Sequence, residues 1–174
     1  SKWRRIVSYA SLAVTAAVVG VFVVRGPIDR ILVFQPGPVT IGFPALVLRF
    51  FLRAPVLMWI QDLWPEELIA SGMLKDSWLV TTLARVSRWI YDSCDVLLLQ
   101  SEAYEGALKA NEVHHPRFAY LPNWVDAAYQ PLPVDREKMI AEGMEGKFNI
   151  LYAGNVGYLQ DFESIVETAA LLRD

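Results

Sequence analysis

Five short apolar runs alternate with longer stretches whose apolar residues recur at helical spacing. The runs are four to seven residues long, and they are bounded by glycine, proline or polar residues, as buried parallel strands are. They cover residues 30–35, 55–61, 95–100, 118–121 and 147–153. Predicted helices cover residues 41–53, 65–72 and 77–93, a segment after Ser101, and 162–174. Strands that alternate with helices of this length form βαβ units with right-handed crossovers, so we predict an α/β fold with a parallel sheet.

Polar residues before the predicted helices suggest how those helices begin. We expect Thr40 to cap the helix over 41–53, with Pro44 in its first turn, and Ser101 to cap the helix that follows it. Asp62 could cap a helix that opens at Pro65.

Residues 6–24 form the most apolar stretch, and Arg4, Arg5 and Arg25 flank it. As a helix, these nineteen residues would be about 28 Å long, close to the thickness of a bilayer core. Three interpretations remain open: a membrane span, a helix that packs on one face of the sheet, and a helix in the membrane interface.

Composition limits the possible functions. The 174 residues are 54% hydrophobic and 20% charged, so a membrane, a partner or further protein is expected to cover the excess apolar surface. A net charge of −3 argues against nucleic-acid binding. The single cysteine, Cys94, excludes an internal disulfide and suits a reducing cytoplasm. We expect His114 and His115 to be surface residues rather than metal ligands.

The proline-rich segment 122–146 divides the predicted elements into two sets. We therefore expect one domain over residues 1–122, a linker with a short helix over 123–146, and a further βα unit over 147–174. Because the chain begins at Ser1 and ends inside a helical pattern, we expect it to be a piece of a longer protein.

Ligands of parallel α/β sheets bind beyond the carboxyl ends of the strands, which selects five loops. These are residues 35–40, 61–66, 101–102, 123–126 and 154–157. The last is a glycine loop before a helix, which is suited to phosphate but equally to a tight turn. Asp62 could bond a sugar hydroxyl or accept a proton instead of capping. Trp64 could stack on a ligand, although core packing is the safer interpretation, and Asn123 is expected to fix a turn.

The ordered motifs resemble retaining glycosyltransferases of family 4, in the bacterial membrane-associated branch that builds capsule, colanic acid or O-antigen. The motifs lie at residues 2–24, 27–35, 61–66, 99–102, 121–126 and 152–157. Two positions depart from the family pattern, because many relatives have histidine at the position of Gln61 and arginine at that of Asn155. No Ser/His/Asp order, paired-cysteine motif or zinc-protease motif supports a hydrolase or a metalloenzyme.

The resemblance implies a GT-B architecture, in which two Rossmann-like domains face each other across a cleft. Residues 1–122 would then end the acceptor domain, and 147–174 would begin the domain that binds a nucleotide-sugar. The acceptor side would contain Gln35, Gly37, Thr40, Gln61, Asp62, Trp64, Ser101 and Glu102, with Asp62 as the candidate catalytic residue. Gly154, Asn155, Val156 and Gly157 would lie near the donor diphosphate, and Asn123 and Asp126 between the domains.

The same resemblance implies no cofactor and no catalytic metal. It also implies a saccharide or lipid-linked acceptor, in particular a polyprenyl diphosphate, at the inner face of the cytoplasmic membrane. The chain alone is expected to be inactive, because most of the donor domain is missing. Two alternatives remain: another GT-B enzyme such as a sugar-nucleotide 2-epimerase, and a membrane-anchored α/β module that binds partners without catalysis.

Overall fold

The computed structural model describes residues 2–70, 78–115, 117–157 and 160–172, without the side chains of residues 2, 3, 5 and 6. The chain divides into two compact units, Ser1–Asn123 and Trp124–Asp174. The ends of two predicted helices, at residues 71–72 and at residue 77, lie outside the described residues, as do residues 173 and 174.

The first unit is a four-stranded parallel sheet with helices between the strands. Its strands are paired in the order β1-β2-β3-β4, which confirms the predicted α/β class and four of the five predicted strands. The elements are α1 (Lys2–Val23), β1 (Ile31–Gln35), a 3₁₀ turn (Val39–Ile41), α2 (Gly42–Leu52), β2 (Val56–Ile60), α3 (Glu66–Ala70), α4 (Trp78–Ser93), β3 (Val96–Leu99), α5 (Ala103–Ala110) and β4 (Phe118–Tyr120).

The hydrophobic core lies on one face of this sheet. Because the strands follow one another in chain order and crossovers are right-handed, the connecting helices pack on a single face. Met58 and Leu97 point to that face and are fully buried, against Ile90 from α4. On the opposite face, Leu32 and Phe34 are 60% and 49% exposed. Parallel sheets are normally covered on both faces, so this face contributes to the excess apolar surface predicted from composition.

At the amino edge of the sheet, where the strands begin, Asp95 joins three elements. Its carboxylate accepts a hydrogen bond from the main-chain N–H of Val56 at 2.8 Å and another from the Arg49 guanidinium at 3.1 Å. Arg49 also donates to the main-chain carbonyl of Ser93. This cluster holds α2 against the beginnings of β2 and β3.

His115 is also part of the amino edge, so its predicted surface position is wrong, whereas His114 is exposed. The His115 side chain is buried, with Nε2 2.7 Å from the carbonyl oxygen of Cys94. Nδ1 lies 3.0 Å from the main-chain nitrogen of Arg117. The geometry fits a ring that donates from Nε2 and accepts at Nδ1. The imidazole thus satisfies main-chain groups before β3 and β4, which explains its burial.

Helix α1 packs against α2 through small side chains. Ala13 and Ala17 are buried, and a Cβ added at Gly20 would lie 3.3 Å from Leu48. The outward face remains apolar and exposed, at Val7, Leu12, Val14, Val18, Phe22 and Val23. In the part of the chain that the structure describes, no helix combines the length and the apolar character needed to cross a membrane.

Two predicted helix caps are wrong. Ile41 occupies the cap position of α2 and Glu102 that of α5, and neither makes a side-chain cap hydrogen bond. Preceding tight turns replace the caps, because the N–H of Ile41 bonds the carbonyl of Pro38 and that of Tyr104 bonds the carbonyl of Ser101. The Thr40 and Ser101 hydroxyls are therefore not needed there. Pro44 lies in the first turn of α2, as predicted.

The second unit contains α6 (Arg136–Ala141) and α7 (Phe162–Leu171), which confirms the two helices predicted for this region. The strand predicted over residues 147–153 is wrong, because the described residues of this unit contain no strand. Phe148 and Leu151 are 93% and 82% exposed. A strand needs a neighbouring strand for its main-chain hydrogen bonds, and the described part of this unit provides none.

Gly42, the first residue of α2, allows that helix to lie close to α4. A Cβ at this position would be only 2.7 Å from Cγ2 of Ile90, which is itself fully buried. We expect Gly42→Ala to reduce the free energy of unfolding by about 1–3 kcal/mol through overpacking, as measured by urea denaturation. Gly106→Ala in α5 is the control, because nothing lies within 4 Å of the position that its new methyl group would take. That control should gain roughly 0.5–1 kcal/mol. Equal stability of the two variants would contradict the close packing of α2 on α4.

Candidate functional site

Three glutamines mark the ends of successive strands. Gln35 is the last residue of β1, while Gln61 and Gln100 directly follow β2 and β3. Because parallel strands all end at one edge, these side chains meet at the carboxyl edge of the sheet, where ligands of such folds bind. The repeated pattern of an apolar strand followed by glutamine is visible in the sequence, but its cross-linking role was not predicted.

Gln35 connects the first two loops of this edge. Its side chain is fully buried. Nε2 donates to the carbonyl of Gly37 and, at 3.1 Å, to the carbonyl of Asp62. The main chain adds a bond from the N–H of Gln61 to the carbonyl of Gln35 at 3.1 Å. Gln35 and Gly37 therefore contribute to the edge through structural hydrogen bonds.

Gln100 connects the remaining loops. Its Nε2 donates to the main-chain carbonyl of Gln61 and, at 2.9 Å, to the hydroxyl of Tyr104, which in turn donates to the same carbonyl at 2.9 Å. The Asn123 side chain donates to Oε1 of Gln100 at 2.7 Å. Asn123 thus has the structural role that was expected, but it anchors the β4 loop to Gln100 instead of forming a local turn. Tyr104 was missed because nothing near it in sequence indicates this partner.

Asp62 and Glu67 place two carboxylates at this edge. Partial burial raises the pKa of Asp62. The pKa of Glu67 is raised by burial and by the charge of Asp62, and it is lowered by the bond that the Trp64 indole N–H donates to Glu67 at 3.1 Å. The structure gives the Asp62 carboxylate no hydrogen bond to a described residue, so the expected cap at Pro65 is not formed. A half-buried carboxylate with free lone pairs can bond a hydroxyl or accept a proton.

The other residues that were predicted for the acceptor side lie partly in the core and partly at the surface. Trp64 is buried in the core, as predicted. Thr40 and Ser101 are partly exposed, and Glu102 is exposed. The edge therefore brings together Gln35, Gly37, Gln61 and Asp62, whereas the side chains of Thr40, Ser101 and Glu102 have no hydrogen bond to it within the described residues. Glu67 is the acidic neighbour that sequence reasoning overlooked.

In the second unit, residues 154–157 lie in an irregular, mostly exposed segment. Gly154 is close to the Tyr152 side chain, whose hydroxyl donates to the carbonyl of Asn155 at 3.1 Å. Val156 is 73% exposed. Helix α7 begins only at Phe162, and the Asp161 carboxylate at its cap position accepts a bond from the Ser164 hydroxyl at 2.7 Å. The phosphate role of Gly154, Asn155, Val156 and Gly157 stays a prediction.

The last candidate residue is Asp126, and the last question is whether the described residues could hold a metal ion. Asp126 accepts the main-chain N–H of Ala128 at 2.8 Å, so its carboxylate stabilises a turn. Across the ranges described above, no three histidine, cysteine, aspartate or glutamate side chains are grouped so that they could hold a metal ion.

The four-stranded parallel sheet is consistent with Rossmann-like units, and sequence comparison supports a glycosyltransferase relationship. The chain is 32% identical over 146 residues to a protein of Pseudomonas aeruginosa described as "Probable glycosyltransferase WbjE". The match covers 80% of this chain and 35% of the relative, so the chain spans about a third of that relative's length. No family model matches the chain. No solved structure matches it either.

The raised pKa of Asp62 predicts a dependence of stability on pH. As pH rises above about 4, carboxylates of the unfolded chain lose protons before Asp62 and Glu67 do in the folded chain. Stability therefore falls across this window. We expect Asp62→Asn to be more stable than the native chain at pH 7, with the difference vanishing below about pH 3, as measured by urea denaturation. Asp29→Asn, at an exposed position, should show no such gain. A loss of stability at pH 7 in the Asp62 variant would refute this electrostatic cost.

A matched pair of substitutions tests whether the Gln100 amide stabilises the carboxyl edge. Gln100→Glu keeps the shape of the side chain but removes the donor to the Gln61 carbonyl and to Tyr104. We expect a loss of about 1–3 kcal/mol, because the new carboxylate oxygen would face the Gln61 carbonyl oxygen with no hydrogen bond between them. Gln130→Glu removes a donor from an exposed bond to Ala127 and should change stability by less than about 0.5 kcal/mol. Thermal unfolding at pH 7 distinguishes the two, and similar losses would show that Gln100 does not hold the edge.

Proposed function

We propose that this chain forms part of a glycosyltransferase that moves a sugar from a nucleotide-sugar to an acceptor. The observation that carries the proposal is the 32% identity to a probable glycosyltransferase across 80% of the chain. The parallel sheet, whose carboxyl edge is the usual ligand site of this class of fold, is consistent with it. The sugar-nucleotide epimerase and the non-catalytic binding module receive no comparable support.

On the acceptor side, we assign the central role to Asp62. Its carboxylate is half-buried and accepts no hydrogen bond from a described residue, and its raised pKa suits contact with a sugar hydroxyl or acceptance of its proton. Burial maintains this state, and the charge of Asp62 in turn helps to raise the pKa of Glu67. Gln35, Gln61 and Gln100 act as positioning residues, since their amides or carbonyls hold the loops around Asp62.

On the donor side, Gly154, Asn155 and Gly157 are proposed to approach the diphosphate. Glycine allows a ligand close to the main chain, and the Asn155 amide can donate to a phosphate oxygen. We further propose the retaining mechanism of family 4, a role in capsule, colanic acid or O-antigen synthesis, and no need for a cofactor or catalytic metal. The family resemblance supports these points.

The proposed acceptor is lipid-linked, and the proposed location is the inner face of the cytoplasmic membrane. The outward face of α1 supports this, since Leu12, Val18 and Phe22 expose apolar surface between Arg4 and Arg25. Such a helix can lie in the interface of a bilayer, with its cations at the level of anionic headgroups.

The proposal predicts sugar transfer by the whole protein. Radiolabelled nucleotide-sugars would be incubated with the whole protein and with membrane vesicles that contain polyprenyl-diphosphate saccharides. The radioactivity in the extracted lipids would then be measured. We expect transfer from one donor, and a decrease of kcat/KM by roughly 10²–10⁴-fold for Asp62→Asn. Asp29→Asn should retain full activity, because Asp29 is exposed. If no common nucleotide-sugar serves as a donor, the proposed function is wrong. Full activity of the Asp62→Asn variant would show that Asp62 has no role in the mechanism.

A further inference from the structure

A pocket of about 200 Å³ opens between α4, α5 and the start of α3, within the first unit. It is lined by apolar side chains that include Trp64 and Leu108, and by polar side chains that include Ser87, Arg88 and Tyr91. None of these polar residues belongs to the site at the carboxyl edge. They could not be recognised from sequence, because Ser87 and Tyr91 follow the helical spacing of an ordinary core helix.

Several polar atoms of this pocket have no hydrogen-bond partner among the described residues. Over that part of the chain, five buried side-chain nitrogen or oxygen atoms have no hydrogen bond, and three of them are Ser87 Oγ, Arg88 Nε and Tyr91 Oη. Ser87 and Tyr91 are only 2% and 1% exposed. The Tyr91 hydroxyl lies near the main chain of Trp64 but without the geometry of a normal hydrogen bond. Unpaired buried groups are costly, so their concentration in one pocket indicates a ligand.

The charges around the pocket disfavour an anionic ligand. Glu112 neutralises Arg88 through an ion pair of 2.6 Å at the rim. Behind the pocket, burial raises the pKa of Tyr91, and the nearby charges of Glu66 and Asp62 add to this effect. The surroundings of the Tyr91 hydroxyl are therefore negative, which disfavours phosphate or carboxylate. Two hydroxyls and one guanidinium N–H instead suit the oxygens of an uncharged ligand.

We propose that this pocket binds a single neutral sugar ring, with Ser87, Arg88 and Tyr91 as its hydrogen-bonding groups. The volume corresponds to about seven water molecules at ~30 Å³ each, which is the size of one pyranose ring. Trp64 and Leu108 offer the apolar surface that the C–H face of a sugar contacts. The chemistry of the pocket by itself indicates that the ligand is a neutral polyol. The choice of a saccharide among such ligands rests on the proposed function.

Binding can be tested without transfer. Methyl glycosides of glucose, galactose, mannose and N-acetylglucosamine would be titrated into the chain, with saturation-transfer NMR and calorimetry as the measurements. We expect millimolar binding of one or more sugars and at least a tenfold loss of affinity in the double variant Ser87→Ala/Tyr91→Phe. Ser93→Ala is the matched control in the same helix, since its hydroxyl already bonds the carbonyl of Trp89. It should bind like the native chain.

Stability provides a second readout. If the Ser87 and Tyr91 hydroxyls serve a ligand, the double variant should unfold at the same or a higher temperature, because two unpaired groups have been removed. A melting temperature lowered by several degrees would overturn the proposal, since it would assign both hydroxyls to internal structure. Absence of binding by the native chain at 50 mM of every glycoside, or unchanged affinity in the double variant, would also overturn it.

The outcome separates this proposal from the proposed function. Sugar transfer by the whole protein without binding at Ser87 and Tyr91 would overturn only the pocket. Binding of myo-inositol in preference to every glycoside would overturn the saccharide assignment. Glycoside binding that the double variant abolishes, in a protein that transfers no sugar, would support the pocket and contradict the transferase.

Discussion

Hydrogen bonds from strand-end glutamine amides to main-chain carbonyls hold the carboxyl edge of the sheet together. Beyond the last residue of each strand, the ladder of main-chain bonds stops, and the carbonyls of Gly37, Gln61 and Asp62 would lose their donors. Gln35 and Gln100 supply those donors across neighbouring loops. The loops remain irregular but fixed, and Asp62 is held where its carboxylate is partly buried. The chemistry proposed for this edge depends on that arrangement.

The strands could be predicted because their apolar runs are short and end at polar residues. Residues 30–35, 55–61, 95–100 and 118–121 each contain an observed strand, shortened by one or two residues. The rule that parallel strands end at one edge also brought Gln35, Gln61 and Asp62 together from sequence alone. The partners of individual donors could not be predicted, because Tyr104 and Glu67 reach the edge through the packing of helices rather than through their sequence neighbours.

The wrong predictions have two physical causes. The pattern over residues 147–153 has the local character of a strand, but a strand forms only where another chain segment pairs with it. Thr40 and Ser101 have the local character of helix caps, yet preceding tight turns had already satisfied the main chain there. His115 looked like a loop residue until the carbonyl of Cys94 became its partner. Local preference therefore failed at residues 147–153 and at His115 because the decisive hydrogen-bond partner is non-local, and at Thr40 and Ser101 because a local turn made the cap unnecessary.

The amino edge of the sheet is held by a separate set of contacts. Asp95 and His115 bond the main chain at the beginnings of β2, β3 and β4 without using any residue of the carboxyl edge. Insertions or substitutions in the loops after the strands would leave those anchors intact. The loops after the strands can therefore vary in length and sequence while the scaffold keeps its strand register.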